Sequence, residues 1–152
     1  MTNIYFFKED YNIDLRTLQK HKKWLNNVAK SYEHKISELN YIFCSDEYLL
    51  KINLEYLNHD TYTDIITFDL NDYSEEQNTV EADIFISMER IKANSASFKT
   101  KEEIELARVM AHGLLHIIGF KDKTEEQKKE MRIAENKAIE LLSVKRCSTW
   151  NI

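Results

Sequence analysis

Residues 112–122 read HGLLHIIGFKD, a stretch that holds the only two glycines of the chain and two of its five histidines. No proline occurs in the sequence. Apolar residues recur at helical spacing from residue 102 to residue 118, which predicts an amphipathic helix with its apolar stripe on the core. Gly119 follows that pattern directly, at the position where a helix often ends in a conformation that suits glycine. The stretch therefore predicts a helix, a sharp turn and a segment that returns toward the helix.

The two histidines of this stretch, His112 and His116, lie four residues apart and therefore on one face of the predicted helix. Two imidazoles one turn apart can bind a single metal ion, as in zinc proteases that carry H-x-x-x-H on a helix. Asp122 lies beyond the turn and offers a carboxylate as a third ligand. Two alternatives stay open from the residues alone. The pair can be two ordinary helix residues, and His116 can be favoured by the helix dipole, which stabilises a protonated histidine near a C-terminus.

Gly113 lies inside the predicted helix, where glycine costs about 1 kcal/mol relative to alanine. So small a residue beside a candidate ligand indicates close approach by a substrate or by another backbone. In H-E-x-x-H proteases this position carries the glutamate that acts as general base. Its absence disfavours peptide hydrolysis by that route.

Composition limits the class of protein. The chain has 152 residues and a net charge of -5. This length suits a single domain spanning residues 1–152, with a flexible tail at about 143–152. The acidic balance disfavours a general nucleic-acid binder but leaves a local basic patch open.

The two cysteines, Cys44 and Cys147, do not have the C-x-x-C spacing of metal or redox sites, so we expect both to be reduced thiols. No apolar run approaches a membrane span, so we expect a cytoplasmic protein without membrane contact.

The other elements follow from apolar periodicity and from capping residues. Strands are predicted at residues 3–8, 39–44, 64–70 and 82–88. Helices are predicted at about 15–32 after Asp14, 46–57 after Ser45, from 89 onward, at 102–118 after Thr100 with Glu103, and at about 125–142 after Thr124 with Gln127. Strands and helices do not alternate strictly. We therefore expect an α+β domain, with helices packed on a small mixed sheet and a metal site at the C-terminal end of a helix.

Three blocks of sequence resemble one known family. Residues 112–122 resemble the H-G-x-L-H-x-x-G-[YF]-D-H signature of the YbeY family, metal-dependent endoribonucleases of ribosomal RNA maturation. Residues 52–70 are similar to that family's N-x-x-Y-R-x-x-D-x-P-T-D-V-L-S-F-P block, matching at Asn53, Tyr56, Asp60, Thr63, Asp64 and Phe68. Residues 81–87 resemble its G-D-I-x-I-S strand. The blocks agree in order and spacing.

The resemblance implies a metallohydrolase-like domain that acts as a single-strand-specific, metal-dependent endoribonuclease in ribosomal RNA maturation and ribosome quality control. It implies one zinc ion held by His112, His116 and Asp122, where Asp122 stands at the family's third histidine in an ungapped alignment. Aspartate is a competent zinc ligand at about 2.0–2.2 Å. The implied partners are RNA, the ribosomal RNA of the small ribosomal subunit, and ribosome-associated proteins.

One departure concerns the chemistry. The family's arginine after the tyrosine, thought to act on RNA phosphate, is Leu57 here. Arg108 lies one turn before His112 on the same face and is our candidate catalytic residue; alternatively it pairs with Glu105, Glu102 or another surface acid. Asp64 is a candidate for orienting ligands or water, as is Asp60, unless both serve as loop caps. Lys121 and the lysines that follow it are candidates for holding an RNA backbone, or form a solvated face.

Two other functions stay open. Leu57 is compatible with a non-catalytic ribosome-assembly factor that keeps a metal for stability. A metalloprotease is the remaining alternative, which Gly113 weakens.

Overall fold

The computed structural model describes residues 3–59, 61–72 and 78–150, with side chains as far as residue 142. Asp60, most of the predicted loop at 71–79 and the side chain of Cys147 lie outside the described residues. The strands are β1 (Ile4–Lys8), β2 (Lys35–Cys44), β3 (Ile65–Asp69) and β4 (Thr79–Ser87). The helices are α1 (His21–Ser31), α2 (Asp46–Leu57), α3 (Met88–Ser97), α4 (Glu102–Ile118) and α5 (Glu125–Trp150).

The four strands form one mixed sheet in the order β1-β2-β4-β3. The pairs β1–β2 and β2–β4 are parallel, and β3 runs antiparallel to β4. Parallel neighbours need a crossover connection, which α1 supplies between β1 and β2. The predicted single-domain α+β fold with a small mixed sheet is therefore confirmed.

The main core lies between one face of the sheet and the helices α1, α3, α4 and α5. Alternate residues of β2 and β4 point into it, and Leu39, Tyr41, Ile84 and Ile86 are fully buried. Tyr41 donates its hydroxyl to the carbonyl of Met110 at 2.8 Å, so this buried polar group keeps a partner. On the other face of the sheet, α2 packs over a smaller cluster of Cys44, Leu49 and Ile66. Burial raises the pKa of the Cys44 thiol to about 12.

Local capping signals predicted some helix starts and missed others. Ser45 caps α2 by accepting from the Tyr48 amide at 3.1 Å. Thr124 and Gln127 form the predicted capping box at the start of α5, with both bonds at 3.1 Å.

The capping box expected at Thr100 is wrong, because α4 is capped by Lys101 without a side-chain hydrogen bond. Glu103 instead pairs with Lys20 at 3.0 Å. The helix expected at 15–32 is also divided. Asp14 caps a short 3₁₀ segment, Leu15–Leu18, and α1 begins only at His21. Helix α5 runs to Trp150, beyond the predicted end near residue 142, and the flexible tail stays a prediction.

Glycine is required at positions 113 and 119 for two different structural reasons. A Cβ on Gly113 would lie 2.9 Å from Ile65 Cδ1 and 3.0 Å from Ile84 Cδ1. The three protein atoms nearest to that Cβ all belong to side chains of the sheet, so the sheet makes a close approach to Gly113. Gly119 ends α4 with φ of 136°, a conformation that L side chains rarely adopt. The sharp turn expected after residue 118 is confirmed.

None of the helices in residues 3–59, 61–72 and 78–150 combines the length and apolar composition needed to cross a bilayer. The cytoplasmic location stays a prediction.

We expect Gly113→Val to destabilise the protein. The added atoms would overlap Ile65 and Ile84, and overpacking of this kind costs about 1–3 kcal/mol. The free energy of unfolding in urea measures the loss. Ala93→Val, at an exposed position of α3, is the control and should cost no more than about 0.7 kcal/mol of helix propensity. Equal losses in the two variants would contradict this account of the glycine.

We expect His21 to make stability depend on pH. The side chain is 2% exposed, and neither ring nitrogen has a hydrogen-bond partner among the described residues. Burial, assisted by Lys20, lowers the pKa of His21 to about 4, below its ordinary 6.5. The unfolded chain therefore binds the proton first, and stability falls as pH drops from about 6.5 toward 4.

Between pH 7 and pH 5 this linkage removes about 2 kcal/mol of the free energy of unfolding, and His21→Phe should reduce the loss by that amount. The exposed His59→Gln variant is the control and should keep the wild-type difference. A His21→Phe variant that loses as much stability as the wild type would exclude this origin.

Candidate functional site

A cavity of about 360 Å³ opens where α4, α5 and the segment before β3 meet, and we refer to it as the site cavity. The apolar stripe of α4 packs on the core, which turns the adjacent polar side chains of that helix toward this cavity. Four of the predicted site residues line it: Asp64, Arg108, His112 and Asp122. The other two, His116 and Lys121, are solvent-exposed and do not line it.

The Nδ1 atom of His112 is hydrogen-bonded to a buried carboxylate. Its Nδ1 lies 2.7 Å from Oε2 of Glu135, a side chain of α5 that is only 8% exposed. A carboxylate bonded to one ring nitrogen fixes the orientation of the imidazole and leaves the other nitrogen free to bind a ligand. Burial opposes protonation of His112, but the hydrogen bond and charge of Glu135, with the charges of Asp122 and Asp64, outweigh it and raise the His112 pKa.

Asp122 returns to the helix after the turn at Gly119. Its Oδ2 lies 3.5 Å from Nε2 of His112, which is longer than a good N–H···O hydrogen bond. Two ligands bound at about 2.1 Å to one tetrahedral ion are separated by about 3.4 Å. The spacing of these two atoms is that of an ion pair when the imidazole is protonated, and it is also compatible with two ligands of one metal ion.

His116 does not complete this pair in the described structure. It lies in the last turn of α4 and is exposed. Among the described residues, no three side chains of histidine, cysteine, aspartate or glutamate converge closely enough to hold a metal ion. The ligand set His112, His116 and Asp122 consequently stays a prediction, of which the structure brings two members together.

Arg108 and Glu135 form the ion pair that ties α4 to α5. Arg108 Nη1 lies 3.2 Å from Oε1 of Glu135 and donates to Asn136 Oδ1 at 3.0 Å. Burial alone would raise the pKa of Glu135, but its bonds to His112 and Arg108 lower it. Arg108 thus pairs with an acid, as the alternative interpretation expected, but that acid is buried and belongs to the site.

Two further carboxyl groups give the site cavity an acidic balance. Burial raises the pKa of Asp64, and burial together with the charge of Asp64 raises the pKa of Glu105. Among the described residues, Asp122 and Glu135 bring the carboxyl groups of the cavity to four, against the guanidinium groups of two arginines. An excess of carboxyl groups over guanidinium groups makes the electrostatic potential of the cavity more favourable to a cation than to an anion.

Glu135 and Glu105 are acidic residues of the cavity that the sequence analysis did not assign to the site, as it did not assign Arg132 and Phe98. Glu135 lies among the buried positions Met131, Ala134 and Ala138 of α5, so a charged residue inside an apolar helical stripe was the available signal. Glu105 lies in the polar first turn of α4 and gave no comparable signal.

We expect Glu135→Ala to lower the free energy of unfolding by about 3 kcal/mol, because it leaves Arg108 largely buried without its carboxylate. Urea denaturation measures the change. Glu130→Ala, on the exposed side of α5, is the control and should change stability by less than about 0.5 kcal/mol. If the two substitutions are equally mild, Glu135 does not stabilise the helix pair.

Comparisons with known proteins test the resemblance. The sequence model described as Endoribonuclease YbeY matches residues 3–143. A protein named Endoribonuclease YbeY from Cytophaga hutchinsonii is 51% identical over 138 residues, covering 91% of this chain and 94% of its own. The protein of the same name from Christiangramia forsetii is 47% identical over 141 residues, covering 93% of this chain and 95% of its own.

A solution structure of a protein from Thermotoga maritima has the same fold, with a TM-score of 0.68 at 23% identity. The superposition covers 96% of this chain and 93% of that one. Since the family model spans nearly the whole chain and its relatives match at this identity over most of their length, the chain belongs to the endoribonuclease YbeY family.

Proposed function

We propose that this protein is a metal-dependent endoribonuclease that cleaves single-stranded RNA in ribosomal RNA maturation and ribosome quality control. The observation that carries the proposal is the pair His112 and Asp122, 3.5 Å apart, backed by Glu135 at 2.7 Å. Family membership supplies the reaction class, since the curated relatives are named endoribonucleases.

The donor set suits one divalent cation. His112 Nε2 and an oxygen of Asp122 would hold it, and His116 is the predicted third ligand. A nitrogen and carboxylate set is compatible with zinc, our proposed metal. When bound, such an ion supplies Lewis-acid polarisation of a phosphoryl oxygen.

The residues of the chain have separable roles in this proposal. Glu135 accepts the Nδ1–H of His112, which fixes the orientation of the ring so that Nε2 faces Asp122. Asp64 lines the same cavity. In this proposal it orients water or the metal ligands without binding the metal itself. Lys121 lies on the exposed segment next to Asp122, where its charge can attract the RNA backbone. Arg108 already contacts Glu135 and Asn136 through its guanidinium, so we do not assign the main phosphate contact to it.

The packing of Gly113 argues against the protease alternative. This position faces Ile65 and Ile84 of the sheet, so a glutamate there would enter the core instead of the site cavity. The non-catalytic assembly factor remains the second candidate, because Leu57 replaces the arginine of the family signature.

We expect about one metal ion per chain in protein purified without chelator, and cleavage of a single-stranded oligoribonucleotide but not of its duplex. His112→Ala and Asp122→Ala should each lose most of the metal and the cleavage, because each removes one of the two converging ligands. Elemental analysis and gel electrophoresis measure the two effects. His59→Ala, an exposed histidine outside the cavity, is the matched control and should keep both.

The possible outcomes separate the candidates. Protein that binds no metal when purified in this way would contradict the site. Protein that binds metal but cleaves no RNA would favour the assembly factor. Normal ribosomal RNA ends in cells lacking the protein would remove the maturation role even if RNA is cleaved.

A further inference from the structure

At position 57 this chain lacks the positive charge that the family signature has. The family signature has an arginine there, whereas Leu57 lies at the end of α2, 42% exposed and outside the site cavity. A bound RNA strand places phosphate charges at the site, and the cavity itself has more carboxyl groups than guanidinium groups. If the proposed function holds, on which this inference rests, another residue must supply the cation.

In the part of the chain that the structure describes, two arginines line the site cavity, and one of these two is available to a ligand. The Arg108 side chain is 20% exposed and is bound to Glu135 and Asn136. The Arg132 side chain is 66% exposed, and its nearest carboxylate oxygen among the described residues, on Glu135, lies 3.8 Å away. That distance is too long for a hydrogen bond, so the N–H donors of Arg132 remain open to a ligand.

The position of Arg132 suits a backbone phosphate near the predicted metal ligands. It precedes Glu135 by three residues on α5, so both side chains lie on one face of that helix. Glu135 in turn contacts His112. Arg132 therefore stands at the rim of the cavity, one side chain away from the predicted metal ligands, and a guanidinium binds phosphate oxygens in a bidentate manner.

An exposed aromatic ring lines the same cavity. Phe98 is 63% exposed although it is large and apolar. Its backbone amide donates to the carbonyl of Asn94 at 2.8 Å at the end of α3, and the next residue, Lys99, has a positive φ of 55°. This turn presents an exposed ring at a cavity that an exposed arginine also lines, a combination suited to single-stranded RNA, since bases stack on aromatic faces.

We propose that Arg132 and Phe98 form a nucleotide subsite for single-stranded RNA. The guanidinium of Arg132 binds a backbone phosphate, in place of the arginine missing at position 57. The ring of Phe98 stacks on the base of a nucleotide near that phosphate. Both residues position the strand, and neither takes part in bond cleavage.

Steady-state cleavage of a single-stranded oligoribonucleotide at several salt concentrations tests the role of Arg132. Arg132→Gln should raise KM about 10-fold with kcat changed less than about 3-fold, because a phosphate contact of this kind binds ground state and transition state alike. The slope of log(1/KM) against log salt should become shallower by about 0.7, the value for one phosphate of a single strand. Arg132→Lys should restore the slope, since it restores the charge.

Arg16→Gln is the matched control, since it removes the same charge at a residue that pairs with Asp14 and does not line the site cavity. It should leave the salt slope and KM near those of the wild type. Equal effects of Arg132→Gln and Arg16→Gln would overturn the proposal and leave only a general effect of net charge.

The role of Phe98 is tested with the same substrate. Phe98→Ala should raise KM about 5- to 150-fold, the range expected for loss of one stacked base, whereas Phe98→Tyr should stay near the wild type. Phe7→Ala is the control, because Phe7 is also exposed, at 48%, but lies on β1 away from the cavity lining. A KM that is unchanged in Phe98→Ala would remove the stacking role.

Two measurements keep this inference separate from the proposed function. The metal content of Arg132→Gln and Phe98→Ala should equal that of the wild type, which excludes damage to the ligands. If the wild type itself cleaves no single-stranded RNA, the proposed function fails. If the wild type cleaves and these variants behave like their controls, only the nucleotide subsite fails.

Discussion

The contact between His112 and Glu135 is the interaction on which the arrangement of this site depends. A carboxylate that is 8% exposed is stable only when its charge is compensated, and here an imidazole at 2.7 Å and a guanidinium at 3.2 Å compensate it. Both partners belong to α4 and the carboxylate belongs to α5. The same bonds therefore join two helices and orient the ring nitrogen that faces Asp122, so the site is formed by the packing of the helices and not by loops alone.

The position of α4 against the sheet sets the rest of the geometry. Gly113 brings the helix close to Ile65 and Ile84, and residues 111, 114 and 115 are fully buried beneath it. His112 and Gly113 are adjacent in the sequence but lie on different faces of α4. Gly113 packs against the sheet, whereas His112 lines the site cavity. Gly119 then ends the helix and lets Asp122 return to it. Both glycines of the chain thus contribute to placing two candidate ligands within 3.5 Å.

The fold could be predicted from the sequence wherever local interactions decide it. Ser45 and the pair Thr124 and Gln127 cap helices through neighbours in the chain, so their helices began where the sequence indicated. Thr100 shows the limit: its pattern fits a capping box, but Glu103 is engaged with Lys20 from a distant segment. Glu135 shows the same limit in the site, since its partner is 23 residues away and only tertiary packing brings them together.

The distribution of charge in the cavity explains why a cation for RNA would stand at its rim. A guanidinium deep in the cavity is drawn to the buried carboxylate of Glu135, as Arg108 is, and its donors are then used within the protein. Arg132 lies on α5, one turn before Glu135, and its guanidinium is 3.8 Å from the Glu135 carboxylate. Two thirds of the Arg132 side chain nevertheless remain exposed. Exposure lowers the attraction to any single carboxylate, because water screens it, and leaves the side chain free to turn toward an incoming phosphate. The two arginines thus have different uses although they share one acid: the buried one stabilises the helix pair, and the exposed one remains able to bind a ligand.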